Sequence, residues 1–314
     1  MNKELIIRSN SSAVDFALLK DGKLIELNQE IEDNKFSVGD IFVGKIRKSV
    51  PGLNAAFVNV GFEKDGFLHY HDLGPKLPSL VKYIKQVSTG KNKDYLLKQF
   101  RYESDIDKDG NIGDILSSKQ IVLVQIVKEP ISTKGPRLSS EISLAGRYMV
   151  LMPFSDRVSI SQKIEDKTEK SRLKKLVQSI KPKGFGLIIR TVAEGQKVAA
   201  LDADIQQLLT RWKNLSSKLK QIDRYPTKVL SEINRSSSIL RDIFDDSFTG
   251  IHVDDAEMQN EIRDYLETIA PNKKSIVKLY ENHLPIFEEF GIERQIKTSF
   301  GKTVSMQKLS LIHI

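Results

Sequence analysis

The sequence predicts an α+β protein of more than one domain, with a small β-barrel near its N-terminus. The chain has 314 residues, which is enough for two or three domains. The stretch Val50–Tyr70 alternates between two faces, and Gly52, Gly61 and Gly66 interrupt it, which is typical of a strand, a turn and the start of a second strand. After residue 199, segments with helical and with strand patterns alternate, which predicts a sheet covered by helices.

The composition favours a polyanionic partner and an intracellular location. The formal net charge is +8 and the isoelectric point is near 9.3, as is common among nucleic-acid-binding proteins. There is no cysteine, which excludes disulfides and thiolate metal sites and fits a reducing cytoplasm. No apolar run approaches ~18 residues and no signal-like apolar core follows Met1, so we expect a soluble, cytoplasmic protein without a membrane partner.

Three short strands are predicted at the N-terminus, over Glu4–Arg8, Ala13–Leu19 and Lys23–Leu27. Asp21-Gly22 lies between the second and the third and is typical of a two-residue hairpin turn. Because three strands alone form no stable domain, we expect them to pair with a strand from later in the chain.

The barrel segment carries two phenylalanines whose neighbours already fill the buried face. Phe57 and Phe67 can therefore stand on the outer surface, where a nucleic-acid base would cover them by stacking, at about 1–3 kcal/mol per base. Alternation along the preceding strand places Lys45 and Arg47 on one face, within reach of phosphates. The alternative is that both rings are core residues of a barrel that binds nothing.

A polar insertion, about Asp72 to Lys119, shows no clear period, and the barrel resumes with the β-branched strand Ile121–Glu129. Within the insertion, Asp105–Ile112 copies the first eight positions of a calcium loop, but the twelfth position is Leu116 instead of an acid. We therefore expect a solvated loop there rather than a calcium site.

Two later blocks, Ile142–Pro153 and Gly184–Thr191, each pair an apolar strand with groups able to hold an anion, and a helix over Glu169–Ile180 separates them. The Arg190 guanidinium has several N–H donors in one plane, and Thr191 adds a hydroxyl donor. The backbone N–H of Val150 could add a donor, and Gly146 would allow close approach to the main chain. Such a pocket suits a terminal monophosphate. The alternative is an ordinary salt bridge at Arg190 and a simple bend at Gly146.

The remaining elements alternate between helix and strand. We predict helices over Ala199–Leu219, with Trp212 in the apolar stripe, from Pro226 to Phe244, over Ala256–Ile269 and from Leu284 onward, and strands at Ile251–Val253 and Ile276–Tyr280. Four acids, Asp245, Asp246, Asp254 and Asp255, are of the residue type that forms an RNase H-type metal site. Their positions at helix ends and turns instead favour helix capping and contact with solvent.

The order of residues in several segments resembles that of one protein family. Val38–Ile46, Leu53–Gly61 and Gly66–Leu68 together resemble the S1-like RNA-binding domain as it occurs in the ribonuclease E/G endoribonucleases. The two anion-binding blocks resemble the 5′-sensor of that family. The resemblance implies a discontinuous RNase H-like α/β subdomain with an inserted S1-like OB-fold barrel and a small α/β 5′-sensor subdomain.

The resemblance also implies site residues. It assigns RNA binding to Phe57, Phe67, Lys45 and Lys134, and binding of the 5′-phosphate to Gly146, Val150, Arg190 and Thr191. One departure is Ser161-Gln162-Lys163, which stands where the family commonly has an arginine-containing run and so weakens any phosphate contact from position 162.

The predicted divisions are residues 1–36 and 216–285 for the RNase H-like subdomain, 37–130 for the barrel and 131–215 for the sensor. Residues 286–308 would begin a DNase I-like catalytic subdomain, because Phe290–Val304 resembles its first helix. We interpret Leu309–Ile314 as translated library-adapter sequence, an artefact outside the fold.

In the family, a strand beyond that helix carries the acids of a magnesium site. We therefore expect no catalytic residue, metal site or bound cofactor in this chain, and Mg²⁺ in the full-length enzyme. The implied substrate is single-stranded RNA with a 5′-monophosphate, cut in rRNA processing and mRNA decay by a homo-oligomer. The alternatives are a non-catalytic RNA-binding or ribosome-associated adaptor and an OB-fold protein that binds DNA.

Overall fold

The computed structural model describes residues 2–10, 13–31, 36–91, 95–232, 235–300, 303–306 and 309–313. The backbone divides into two compact units. One comprises residues 1–34 and 233–314, and the other comprises residues 35–232.

The elements of both units follow in chain order. The strands are β1 (Lys3–Ser9), β2 (Ala13–Lys20), β3 (Lys23–Ile31), β4 (Ile41–Val50), β5 (Ala55–Asn59), β6 (Gly66–His69), β7 (Ile121–Lys128), β8 (Arg137–Ser139), β9 (Leu144–Ala145), β10 (Met149–Pro153), β11 (Val158–Ile160), β12 (Phe185–Ile189), β13 (Thr227–Leu230), β14 (Phe248–Val253), β15 (Val277–Leu279), β16 (Thr303–Met306) and β17 (Leu309–His313). The α-helices are α1 (Leu77–Ser88), α2 (Ile112–Ile115), α3 (Lys167–Ile180), α4 (Val198–Leu219), α5 (Arg235–Ile243), α6 (Ala256–Ile269), α7 (Ile286–Glu289) and α8 (Ile292–Ser299).

The discontinuous unit contains a five-stranded sheet in the order β15-β14-β1-β2-β3. β1 pairs antiparallel with β2 and parallel with β14, so the N-terminal strands do pair with a strand from later in the chain. The predicted hairpin turn is confirmed, since Asp21 and Gly22 both have positive φ, 48° and 76°, as a tight turn between twisted strands requires.

Alternation along the strands gives this sheet two apolar faces. Leu5 and Phe16 join a buried cluster with residues of α5 and α6, whereas Ile6 and Ala17 join one with residues of α7 and α8. The sheet is therefore covered by helices on both faces.

The continuous unit contains a closed barrel. β4, β5, β6, β8 and β7 are hydrogen-bonded in that order, and pairing of β4 with β7 closes them into a five-stranded barrel consistent with an OB-fold. Its interior is filled by a cluster that includes Phe42, Val58, Leu68, Val124 and Leu138.

A second sheet of this unit has the order β11-β12-β10-β9, and one of its faces joins residues of α3 and α4 in a second cluster. Trp212 of α4 is fully buried there and its indole N–H donates to the Tyr95 carbonyl at 2.9 Å. The prediction that this tryptophan belongs to the packing is confirmed.

Two predicted elements were wrong. Thr227–Leu230 is not the start of a helix but the strand β13, which pairs antiparallel with β4 because its Val229 and Leu230 are buried beside the barrel. The polar insertion, for which we predict no clear period, contains the helix α1, whose Leu77, Leu80 and Ile84 are buried at helical spacing.

One predicted domain boundary and the predicted artefactual tail both fall within regular secondary structure. The division at residues 215 and 216 falls within α4, which ends at Leu219. Leu309–His313 pairs antiparallel with Thr303–Met306, while Ile314 lies outside the described residues, and the interpretation of this tail as an artefact stays a prediction.

Candidate functional site

Two aromatic side chains stand opposite each other on the outside of the barrel. Phe57 of β5 pairs directly with Phe67 of β6, and their ring centroids are 5.8 Å apart with the planes at 71°. Both side chains are half-buried, while their neighbours Ala56, Val58 and Leu68 fill the interior. The two rings therefore lie on the outer face, where a planar group can cover them.

The strand β4 brings basic residues to the same face. Lys45 is exposed and pairs with Asn59 of β5. A β-bulge between Ile46 and Lys48 shifts the alternation, so that Lys48 stands opposite Phe57 with its Nζ 5.1 Å from the ring centroid.

Simple alternation along β4 predicts Lys45 and Arg47 on one face and does not point to Lys48. A bulge depends on how two strands pair, so the period of one strand does not reveal it. Arg47 is exposed, and its Nε lies 3.8 Å from an Asp65 carboxylate oxygen.

Lys134 lies in an exposed loop just before β8. Its backbone N–H donates to Ile131 O at 3.0 Å, and the carbonyl of Pro136 accepts from Phe67 N–H at 2.8 Å. A Cβ on Gly135 would lie 2.2 Å from Asp65 O, so only glycine fits at this close approach. The loop is thereby held beside the strand that carries Phe67.

The second predicted site lies at one edge of the second sheet, where β11 and β12 end side by side. The Arg190 guanidinium donates from Nη1 to Gly146 O at 2.8 Å, and its backbone N–H donates to Tyr148 O at 2.8 Å. The Thr191 and Ser161 hydroxyl oxygens are 3.1 Å apart. The structure thus brings Gly146, Arg190 and Thr191 together and adds Ser161.

A buried carboxylate organises this edge and was not singled out in the sequence. Asp204 of α4 accepts the backbone N–H groups of Arg147, Tyr148 and Met149 at 3.0, 2.9 and 3.0 Å. Burial raises its pKa, while these three hydrogen bonds and the charge of Arg190 oppose the rise. The sequence does carry one sign of this role: Asp204 follows Leu201 by three residues and therefore lies on the apolar side of the helix.

Asp204 also gives Gly146 a packing role. A Cβ there would lie 2.7 Å from Asp204 Oδ2, so a larger residue would displace the carboxylate. Glycine is required here by the protein itself, whether or not a ligand approaches.

Val150 stands opposite Ile188 in the β10/β12 ladder. Because Arg190 N–H donates to Tyr148 O two residues along, the alternation of an antiparallel ladder makes Val150 and Ile188 a hydrogen-bonded pair. We therefore expect the Val150 N–H to donate to the Ile188 carbonyl, which weakens its predicted role as a third donor to the phosphate.

The acids near the sheet of the discontinuous unit have structural partners. Asp245 pairs with Lys3, Asp254 Oδ1 accepts Ser9 N–H at 2.7 Å, and Asp255 caps α6 by accepting Met258 N–H at 2.7 Å. Across the described residues, there is no cluster of three or more His, Cys, Asp or Glu side chains that could hold a metal ion. No helix in the described part of the chain is both long and apolar enough to cross a membrane.

The sequence is similar to a family of proteins named as ribonucleases. The sequence model of the family described as "Ribonuclease E/G family" matches residues 143–314, which is more than half of the chain. The chain belongs to the ribonuclease E/G family.

Several relatives extend the match over nearly the whole chain. Ribonuclease G of Haemophilus influenzae is 31% identical over 97% of this chain and 58% of its own length, and ribonuclease G of Escherichia coli K12 is 30% identical over 98% and 59%. Ribonuclease E of Nostoc sp. is 31% identical over 98% of this chain and 40% of its own length. The chain therefore spans less than two thirds of these relatives.

Proposed function

We propose that this chain is the RNA-binding and 5′-monophosphate-sensing portion of a bacterial endoribonuclease that hydrolyses single-stranded RNA in rRNA processing and mRNA decay. The observation that carries the proposal is the pair of half-buried rings, Phe57 and Phe67, that face each other outside a closed barrel with Lys48 above one of them. Membership of the ribonuclease E/G family supports RNA as the polyanion.

The barrel face would bind the strand by two kinds of contact. Bases stack on Phe57 and Phe67, which tolerates any sequence because every base has a π-face. Lys45, Lys48 and Lys134 would neutralise phosphates, an attraction that weakens as salt rises.

The edge of the second sheet would hold the phosphorylated 5′ end. Arg190 is anchored through Gly146 O, and the Thr191 and Ser161 hydroxyls lie 3.1 Å apart just after the ends of the paired strands β12 and β11. A guanidinium and two hydroxyls suit the oxygens of a terminal monophosphate, whereas a 5′-hydroxyl end offers them no charge. Asp204 would act indirectly, by holding the loop that carries the Gly146 carbonyl in place.

Among the described residues, no group of three or more His, Cys, Asp or Glu side chains could hold a magnesium ion. In the family that this chain resembles, magnesium activates the water that cuts the phosphodiester. We propose that this chain by itself binds RNA without cutting it. The full-length protein would be a cytoplasmic homo-oligomer that uses Mg²⁺.

The test compares RNA oligomers of one sequence with 5′-monophosphate, 5′-triphosphate and 5′-hydroxyl ends, in binding and in a cleavage assay with magnesium. We expect preference for the monophosphate and no cleavage. Arg190→Gln should remove that preference, a loss of about 10- to 150-fold, since hydrogen bonds to charged groups contribute about 1.5–3 kcal/mol. Arg263→Gln, on the exposed surface of α6, is the matched control.

Equal affinity for all three ends in the parent chain would refute the sensing role. Magnesium-dependent cleavage by the purified chain would refute the proposal that it only binds. A melting curve of each variant, compared with that of the parent, separates loss of binding from loss of folding.

A further inference from the structure

The loop that follows β12 carries the Thr191 hydroxyl and runs over residues 191–197 to the start of α4; we call it the Thr191 loop. It begins with a short 3₁₀ turn. Ala193 is fully buried, whereas Gly195 is exposed and has a φ of 72°, a left-handed conformation that glycine adopts without strain. Apolar packing therefore fixes the start of the loop, and its exposed part depends on polar contacts.

Two side chains of α3 hold the exposed part of the Thr191 loop. Glu169 Oε1 accepts the Gly195 N–H at 2.8 Å, and Arg172 donates from Nη1 and Nη2 to Gln196 O, both at 3.1 Å. The two side chains also bind each other, from Arg172 Nε to Glu169 Oε2 and from Arg172 Nη2 to Glu169 Oε1, both at 2.6 Å. One bidentate ion pair thus holds two consecutive residues of the loop by their main chain.

This ion pair differs from an ordinary salt bridge on a helix surface. A pair three residues apart contributes little when both partners are solvated. Here the Glu169 side chain is only 13% exposed, and the hydrogen bonds from Arg172 and from the Gly195 N–H hold the pKa of its carboxyl at about 2, although burial opposes this shift. Both partners are therefore charged at neutral pH, and each also binds the main chain of the loop.

The same helix supports the strand that leads to the other hydroxyl. β11 ends at Ile160, which packs against the buried cluster that contains Leu173 of α3. The next residue is Ser161, whose N–H donates to Ile189 O at 2.8 Å beside the end of β12. Helix α3 therefore supports both hydroxyls of the phosphate site, Ser161 through apolar packing and Thr191 through the ion pair.

We propose that Glu169 and Arg172 are positioning residues for the phosphate site, which hold the Thr191 hydroxyl where a 5′-monophosphate can accept its hydrogen bond. This inference rests on the proposed function, because it takes this edge of the second sheet as the site of the 5′ end. The chain is anchored on both sides of Thr191, since Arg190 N–H donates to Tyr148 O just before it and the ion pair holds the loop after it. Loss of the ion pair should free one of these sides without changing how the barrel binds the rest of the strand.

The experiment measures the affinity of the whole chain for two RNA oligomers of one sequence, one with a 5′-monophosphate and one with a 5′-hydroxyl end, and takes the ratio of the two affinities. Glu169→Ala is the informative variant, because charge and position predict opposite results. Removing a negative charge near the site should by itself strengthen binding of the more anionic end. Releasing the Thr191 hydroxyl should weaken it, and we expect the ratio to fall about 2- to 10-fold, the effect of one hydrogen bond, while the affinity for the 5′-hydroxyl end does not fall.

Three further variants complete the comparison. Glu169→Gln keeps an oxygen that can accept the Gly195 N–H, so its ratio should lie between those of the parent and of Glu169→Ala. Arg172→Ala should lower the ratio as well. Lys174→Ala removes a positive charge from an exposed position of the same helix, so it is the matched control for charge and should change the ratio much less. A melting curve of each variant shows whether the fold is kept.

Two results would overturn the inference. One is a ratio for Glu169→Ala that equals or exceeds that of the parent. The other is equal weakening of both ends, which would indicate a general disturbance of the unit. A parent chain without preference for the monophosphate would instead count against the proposed function, and the inference would fall with it. Arg190→Gln distinguishes these levels, because it should remove the preference even where the ion pair has no influence on it.

Discussion

Replacing Phe57 with alanine is expected to weaken binding of single-stranded RNA far more than it destabilises the fold. A stacked base contributes about 1–3 kcal/mol, which corresponds to a loss of affinity of about 5- to 150-fold. The cost to folding is smaller, because the ring is half-buried and lies outside the barrel interior. Its contact with Phe67, at 5.8 Å, is of a kind worth about 0.5–1.5 kcal/mol.

The assay is fluorescence anisotropy with a 3′-labelled RNA, paired with urea unfolding of the same preparations. Phe57→Leu keeps an apolar side chain of similar size without a π-face, so it should lose affinity while keeping stability. Phe300→Ala, whose ring is 87% exposed in the other unit, is the matched control and should bind normally. If folded Phe57→Ala binds RNA within about twofold of the parent, the stacking argument is wrong.

Three further predictions concern charge. Affinity falls as salt rises, and Lys48→Ala should make the slope of log affinity against log salt less steep by about 0.7, as expected for the loss of one phosphate contact on a single strand. An unchanged slope would show that this lysine contacts no phosphate. Asp204→Ala should lower the free energy of unfolding by about 3 kcal/mol, since one buried and two partly buried N–H groups lose their acceptor; a urea midpoint like that of the parent would contradict this. The Glu169 carboxylate beside Arg172 has a pKa lowered from 4.5 to about 2, so its contribution to stability is complete above 4.5 and is lost as pH falls through about 2. Glu169→Gln should therefore show a weaker loss of stability over that window in urea titrations, and an identical loss would count against the pairing.

Much of the fold could be predicted because it depends on local pattern. Helix α6 begins and ends where its apolar spacing and the capping Asp255 indicate, at Ala256 and Ile269. The Asp21-Gly22 turn followed from residue types that tolerate positive φ. In the candidate site, the outward position of Phe57 and Phe67 followed from alternation along short strands.

Other features depend on partners that are distant in the chain. β13 is a strand because β4, more than 180 residues earlier, offers it an edge and a buried surface. The bulge that places Lys48 over Phe57 exists only in the pairing of β4 with β5. Neither can be deduced from the periodicity of one segment.

The sequence by itself determined the class of fold, the family and the residue types that face outward from the barrel, because side-chain alternation and turn chemistry are local properties of the chain. Tertiary structure decided which of those side chains meet. It set Arg190 against Gly146 O, turned Asp204 inward to hold the neighbouring loop, and placed Lys48 over the Phe57 ring. The physical reason is that such contacts depend on the register between elements, which is set by burial and hydrogen bonding over the whole unit rather than by any one stretch of residues.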